Sequence, residues 1–182
     1  MKKSFLGLAI SAMFVMGAAQ AQDVSATLNV TGSVTNSDMG CAVNLTESSV
    51  KVDGDLAKMV AQGVETLPAK LIQLNVTGFG ESASAICNSL ADEGKLAYRF
   101  VGTVDNGDGN VLANVATGEG VATGVGIALY DAAGKIVPVN SGTLPVEKGT
   151  GTTLGLGLVK LNGQTPVQGS VQGSLTIQLD RL

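Results

Sequence analysis

The sequence has no histidine and no tryptophan, and only two cysteines and four prolines among its 182 residues. Without an imidazole there is no general base for a Ser-His-Asp or Cys-His site, so those hydrolytic chemistries are excluded. Two cysteines without histidine fall short of the four ligands of a structural zinc site, and no C-x-x-C redox pair is present. Basic residues are outnumbered, 11 Lys and Arg against 15 Asp and Glu, giving a net charge of -4 at pH 7. Nucleic-acid binding depends on Lys and Arg contacts to phosphate, and anionic lipid attracts basic clusters; this chain is built for neither. Aromatics are scarce as well. Phe5 and Phe14 stand near the N-terminus, leaving Phe79, Tyr98, Phe100 and Tyr130 for everything else. The core must therefore be assembled from branched aliphatics, which suit a pleated sheet.

Long apolar runs are missing too, apart from Phe5–Ala19, which follows the positive start Met1-Lys2-Lys3. That run is shorter than the roughly 20 residues of a membrane span. It is followed by Ala19-Gln20-Ala21, with small residues at the two positions a signal peptidase reads. Residues 1–21 are thus expected to be a cleaved secretory signal, and its loss removes Lys2 and Lys3 and makes the product more acidic. For an exported chain, Cys41 and Cys87 are expected to form one structural disulfide.

What is abundant is alternation. From Gln22, the residues Val24, Ala26, Leu28, Val30, Gly32 and Val34 fall on one side of an extended chain, and Asp23, Ser25, Thr27, Asn29, Thr31 and Ser33 on the other. This is the mark of a strand with one buried face. The pattern fits an ordinary first strand of its own domain, or an arm lent to a neighbour's sheet. After a turn at Asn36–Gly40, Cys41 to Val52 resumes with Cys41, Val43 and Leu45 on one face, and Leu56–Val64 is expected to be a loop or a single helical turn. Leu71–Thr77 alternates, Gly78–Ala85 reads as a loop leading to Ile86-Cys87, and Leu96, Tyr98 and Phe100 form a strand whose other face carries Lys95, Ala97 and Arg99. Val125, Ile127 and Leu129 make another strand, turned by Asp131–Gly134 and returning over Ile136–Val139. Gly142–Gly151 reads as a loop. In the strand of Leu154, Leu156 and Leu158, the interposed Gly155 and Gly157 suggest a close backbone approach or a bulge. The last strand, Val171–Leu179, places Leu175, Ile177 and Leu179 on one face. Twenty-five glycines punctuate these short runs, and an all-β sandwich is expected.

The segments that invite a chemical reading do not complete one. Asp105–Asn110 is acidic and glycine-rich, but Gly107 and Gly109 occupy positions where a calcium loop needs oxygen ligands, so a hairpin turn is expected. Gly118-Glu119-Gly120 and Gly124-Val125-Gly126 complete no G-x-G-x-x-G, and the run from Lys148 to Thr153 lacks the Walker order. The carboxylates fall mainly in turn-like segments. No enzyme, cofactor or metal site is expected.

Several of these stretches in this order resemble the type 1 fimbrial protein family, the subunits of bacterial fimbriae assembled by the chaperone–usher route. The resemblance spans nearly everything after the signal. It rests on the alternating arm ending near Gly32, on Cys41 and Cys87 placed either side of Ile72–Val76, on Gly124-Val125-Gly126-Ile127-Ala128-Leu129-Tyr130-Asp131-Ala132-Ala133-Gly134, which is similar to the family's G-V-G-I-x-L-x-D-x-x-G, and on the tail from Pro166 through Gly169-Ser170-Val171 to Ile177. The family carries an aromatic near the last position, where this chain has Leu179. What the resemblance implies is an incomplete immunoglobulin-like sandwich lacking its final strand, over residues 36–182, preceded by a donor-strand arm over residues 22–35. The implied donor residues are Val24, Ala26, Leu28, Val30, Gly32 and Val34, and the implied acceptor groove includes Leu175, Ile177 and Leu179. Implied partners are other pilin subunits, a periplasmic chaperone and an outer-membrane usher, in an adhesive pilus on the cell surface reached through the periplasm. A second reading is a minor or tip adhesin that binds a host glycan. Four aromatics outside the signal offer few platforms for sugar rings.

Overall fold

The computed structural model describes residues 24–32 and 40–182, apart from 81, 148 and 150. The signal positions Ala19 and Ala21, the arm residue Val34 and most of the expected turn before Cys41 lie outside the described residues. Among the described residues, nine strands run β1 Val24–Gly32, β2 Gly40–Leu45, β3 Ser49–Gly54, β4 Lys70–Phe79, β5 Leu96–Gly102, β6 Val125–Tyr130, β7 Thr143–Pro145, β8 Thr152–Lys160 and β9 Val171–Arg181, with one helix, α1 Ala83–Asp92, between β4 and β5. They form two sheets, ordered β3-β1-β9-β5-β7 and β2-β4-β8-β6. The architecture is an all-β, immunoglobulin-like sandwich.

The two inner faces supply the core. Leu28, Val50, Val52, Tyr98, Phe100, Leu175 and Ile177 come from the first sheet, and Ile72, Leu74, Ile127, Leu129, Leu154 and Leu156 from the second; all belong to one buried cluster. The aliphatic side chains expected to face inward in β4, β5, β6, β8 and β9 are in it or, for Val76 and Leu179, partly buried against it, since a strand alternates sides at every residue. A second, smaller cluster lies on the outer face of the second sheet. There Val111, Ala128, Tyr130, Val159 and Leu161 pack together with Val60 and Ile136. Every residue of β6 is buried as a result. The glycines of β8 make room for this layer. A Cβ at Gly155 would come within 2.4 Å of the Pro68 ring, and one at Gly157 within 3.1 Å of the Tyr130 ring.

Several local expectations are corrected. The run from Cys41 to Val52 is two strands in different sheets, because Leu45 and Ser49 are separated by the polar Thr46-Glu47-Ser48 and the chain crosses the sandwich there. The expected loop before Cys87 is largely strand and helix: β4 runs on to Phe79, and α1 begins at Ala83. Ala83 and Cys87 bury one face of that helix, at i and i+4 spacing. Gly78 permits the contact, since a Cβ there would meet the Ala83 and Ser84 backbone at 2.2 Å. Ile136–Val139 returns beside β6 with the Val137 N–H donating to the Leu129 carbonyl at 2.9 Å, but forms no strand. Pro138 has no N–H with which to continue the ladder. The expected loop at Gly142–Gly151 contains β7, which pairs with β5. Ala97, expected on a charged outer face, is only 1% exposed. At Asp105–Asn110 the chain does reverse, bracketed by an antiparallel bridge between Val104 and Leu112.

Candidate functional site

The alternating N-terminal segment forms β1, and its position is central rather than peripheral. It runs antiparallel to β3, from Val24 opposite Gly54 to Asn29 opposite Ser49. On its other side it runs parallel to β9, from Ala26 opposite Val171 to Gly32 opposite Ile177. Leu28 is fully buried, while Asn29 is exposed. β3 stands at the sheet edge with β1 as its strand neighbour. Without β1 the first sheet would part into β3 on one side and β9-β5-β7 on the other. The slot between them would be about 10 Å wide, two strand spacings.

The slot is lined by residues from both walls. Val50 and Val52 of β3 are each 1% exposed, and Leu175 and Ile177 of β9 are 0% exposed. Leu175 faces Gly102 of β5 across the sheet, and Ile177 faces Phe100. Leu179 lies past the last β1 pair; it is half-buried against the core and opposite Tyr98. Thus Leu175 and Ile177 are brought against β1, and Leu179 continues the same face beyond it. The groove that the resemblance implied as open is here occupied by the chain's own N-terminal strand. Val24, Ala26, Val30 and Gly32 take their places in the register of that strand.

The first cysteine follows this strand in the next one, and the second lies in the helix. Cys41 of β2 and Cys87 of α1 are bonded, with an S–S distance of 1.99 Å and Cα atoms 5.7 Å apart. The bridge ties the helix to the start of the second sheet, and Cys87 is 1% exposed.

Other polar groupings are structural. Asp105, expected in an open turn, is 5% exposed. Its carboxylate accepts bonds from the N–H groups of Gly107, Gly109, Asn110 and Val111 and from the Gln62 side-chain amide. Burial works to raise its pKa, but the bonds from Val111, Gln62, Gly107 and Gly109 outweigh it and hold the carboxyl below its ordinary value. Gln62 also donates to Asn110 and accepts from the Asn162 N–H, so three loops are pinned together. Sequence reasoning missed this network; the signal was a polar Asp-Asn-Gly-Asp-Gly-Asn run closed by apolar Val111-Leu112. A cavity of about 330 Å³ lies between α1, β4 and the segment after β7, lined by Asn75, Asn88, Asp92, Tyr98 and Glu147 among others. It holds no nucleophile–base pair. Among the described residues no cluster of acidic or cysteine side chains could hold a metal ion, and no helix is long and apolar enough to cross a membrane.

The stretch Gly124–Gly134 gains a physical account. Gly124 has φ +63°, and a Cβ there would come within 2.7 Å of the Thr165 carbonyl. Ile127 and Leu129 fill the main core, while Ala128 and Tyr130 fill the outer one. Asp131 then accepts from the N–H groups of Ala133 and Lys135, both at 2.9 Å, and Gly134 takes φ +85° to complete the turn.

A two-sheet sandwich cross-linked by one disulfide, its first sheet held together by a strand from the chain's start, defines a structural module rather than a catalytic one. The family model for fimbrial proteins matches residues 28–180. The chain belongs to the fimbrial protein family, which is structural and not enzymatic. It is also similar to long polar fimbria protein A of Salmonella typhimurium (strain LT2), with 28% identity over 156 residues, covering 85% of this chain and 81% of the relative.

Proposed function

We propose that this chain is a structural fimbrial subunit that polymerises by donor-strand exchange, its N-terminal arm filling the slot between β3 and β9 of the next copy. The observation that carries this reading is the placement of β1. A segment from the chain's start, joined to the rest only through residues 33–39, supplies the interior strand of a sheet. Such a strand can be replaced by an equivalent one from elsewhere without breaking any other connection. Pairing on both sides gives affinity, and alternate apolar side chains entering the slot give register. Val24, Ala26, Leu28, Val30, Gly32 and Val34 are the proposed donor positions, with Leu175, Ile177 and Leu179 along the acceptor wall. Before assembly the slot would be held by a periplasmic chaperone, and exchange would take place at an outer-membrane usher. Residues 1–21 are the export signal on this reading, and the product is a cell-surface fibre that supports adhesion.

Deleting residues 24–34 behind the intact signal tests the proposal. The truncated subunit is expected to be exported and recovered with the chaperone, and to be absent from sheared surface filaments by electron microscopy and immunolabelling. Its normal incorporation along the filament would overturn the donor role.

A further inference from the structure

Two identical dipeptides, Asn106-Gly107 and Asn162-Gly163, lie in the three-loop cluster around Gln62 and Asp105. Asparagine is a labile residue, and most so before glycine, because a backbone nitrogen with no Cβ beside it can reach the side-chain carbonyl. The fold gives the two pairs different surroundings. The Gly107 N–H donates to Asp105 Oδ1 at 2.7 Å, and a Cβ at Gly107 would lie 2.9 Å from that oxygen and 3.0 Å from Gln62 Oε1. The Asn106 side-chain oxygen is held as well, by Gln164 Nε2 at 2.7 Å. Gly163, in contrast, is exposed with φ +73°, and a Cβ there would meet nothing within 4 Å. Its N–H donates no hydrogen bond to the described residues. Asn162 is exposed too, and its Nδ2 donates to Asp108 Oδ2 at 2.7 Å and to the Gln62 carbonyl at 3.4 Å.

We propose that Asn162 is a site of spontaneous deamidation in the folded protein, and that Asn106 is protected from it. The Gly163 nitrogen attacks Asn162 Cγ, the Cγ–Nδ2 bond breaks, and ammonia leaves with the proton given up by the Gly163 nitrogen. Water then opens the cyclic imide at either carbonyl, giving aspartate or isoaspartate, so that one water is consumed for each ammonia released. At Asn106 the same attack requires Gly107 to give up the proton it donates to Asp105, beside a carboxylate that disfavours an anionic nitrogen. The product at position 162 has an acceptor where a donor stood. Its carboxylate faces that of Asp108 and the Gln62 carbonyl, so the bond that tied the loop after β8 to the loop after β5 gives way to repulsion. In isoaspartate the backbone also gains a methylene next to the Asn162 N–H, which donates to Gln62 Oε1 at 3.2 Å. This corner of the sandwich therefore weakens as the molecule ages, whatever the fate of the exchange reading.

The test is to age the folded, disulfide-bonded subunit in mildly alkaline buffer and map its peptides by mass spectrometry, with fragment ions placing each amide turned to acid. Asn162 is expected to convert about tenfold faster than Asn106, the factor that one retained hydrogen bond supplies. In the reduced, denatured chain the two rates are expected to converge, since glycine follows both. Equal rates in the folded protein, or faster conversion at Asn106, would overturn the assignment. Asn162→Asp carries one of the products from the start, and it is expected to shift the unfolding equilibrium toward the unfolded chain by about tenfold at neutral pH. If that variant unfolds at the wild-type midpoint, the weakening with age is wrong; the rate comparison in the unaltered protein judges the site by itself.

Discussion

β6 and β9 bury comparable apolar faces, yet they are covered in different ways. Val125, Ile127 and Leu129 of β6 and Val171, Leu175 and Ile177 of β9 are all 2% exposed or less. β6 is enclosed on its outer face too, by Val111, Val159 and Leu161, and Tyr130 lies over glycines of the adjoining β8. The outward residues of β9, Gln172 and Ser174, meet solvent, and one of its two strand neighbours is a segment from the far end of the chain. The β6 side is sealed by chain embedded on both sides in the domain. The β9 side is sealed by a strand that, on the exchange proposal, can be withdrawn. Equal burial therefore does not mean equal permanence.

The comparison breaks most sharply at Tyr130. Tyr130→Ala removes a fully buried ring from the outer cluster, and a loss of about 3–5 kcal/mol is expected. Denaturant unfolding should show it as one cooperative transition moved to lower midpoint, since no part of the β6 side can leave alone. A probe-dependent, multi-step transition would contradict that. On the other side, Leu28→Ala should remove about 3 kcal/mol, but from arm docking rather than from the whole domain. Amide exchange is the measurement: protection along β3 and β9 should fall by about a hundred-fold while β6 amides hold theirs. Uniform loss would mean that β1 is not separable from the rest.

The smallest effect sharpens the permanent side. The Asp105 carboxyl is held below its ordinary value in the folded chain, so the unfolded chain takes up the proton first as pH falls. The stability it contributes is present above the ordinary carboxylate pKa of about 3.9 and is lost as pH falls through the lower folded value. Asp105→Asn should lower the denaturation midpoint at neutral pH and narrow the gap between midpoints measured at neutral pH and at about pH 3. An unchanged gap would assign the acid sensitivity to other carboxylates.

Much of the sandwich was legible because its strands alternate cleanly. Leu154, Leu156 and Leu158, or Leu175 and Ile177, repeat every second residue, and only an extended chain turns such a series to one side. Gly155 and Gly157 announced a close approach, and Pro68 and Tyr130 make it. The helix was not read, although Ala83, Cys87, Leu90 and Ala91 carry its spacing, because the segment is short and the preceding Gly78-Phe79-Gly80 looked like the start of a loop. The crossing between β2 and β3 was hidden for a different reason. Alternation gives a strand's faces but not its sheet, and Thr46-Glu47-Ser48 is too short to show that the chain changes layers. The slot itself was half legible. Val24–Val34 showed a strand with one apolar face, but pattern alone could not say whose sheet it completes.

The position of the disulfide has a mechanical consequence. Cys41 is the second residue of β2, so a pull applied through the N-terminal arm meets a covalent link to α1 before it can peel β2 away from β4. Tension travelling along a chain of such molecules would be handed to the body of each sandwich at that point, and the hydrogen-bonded ladder behind it would be spared.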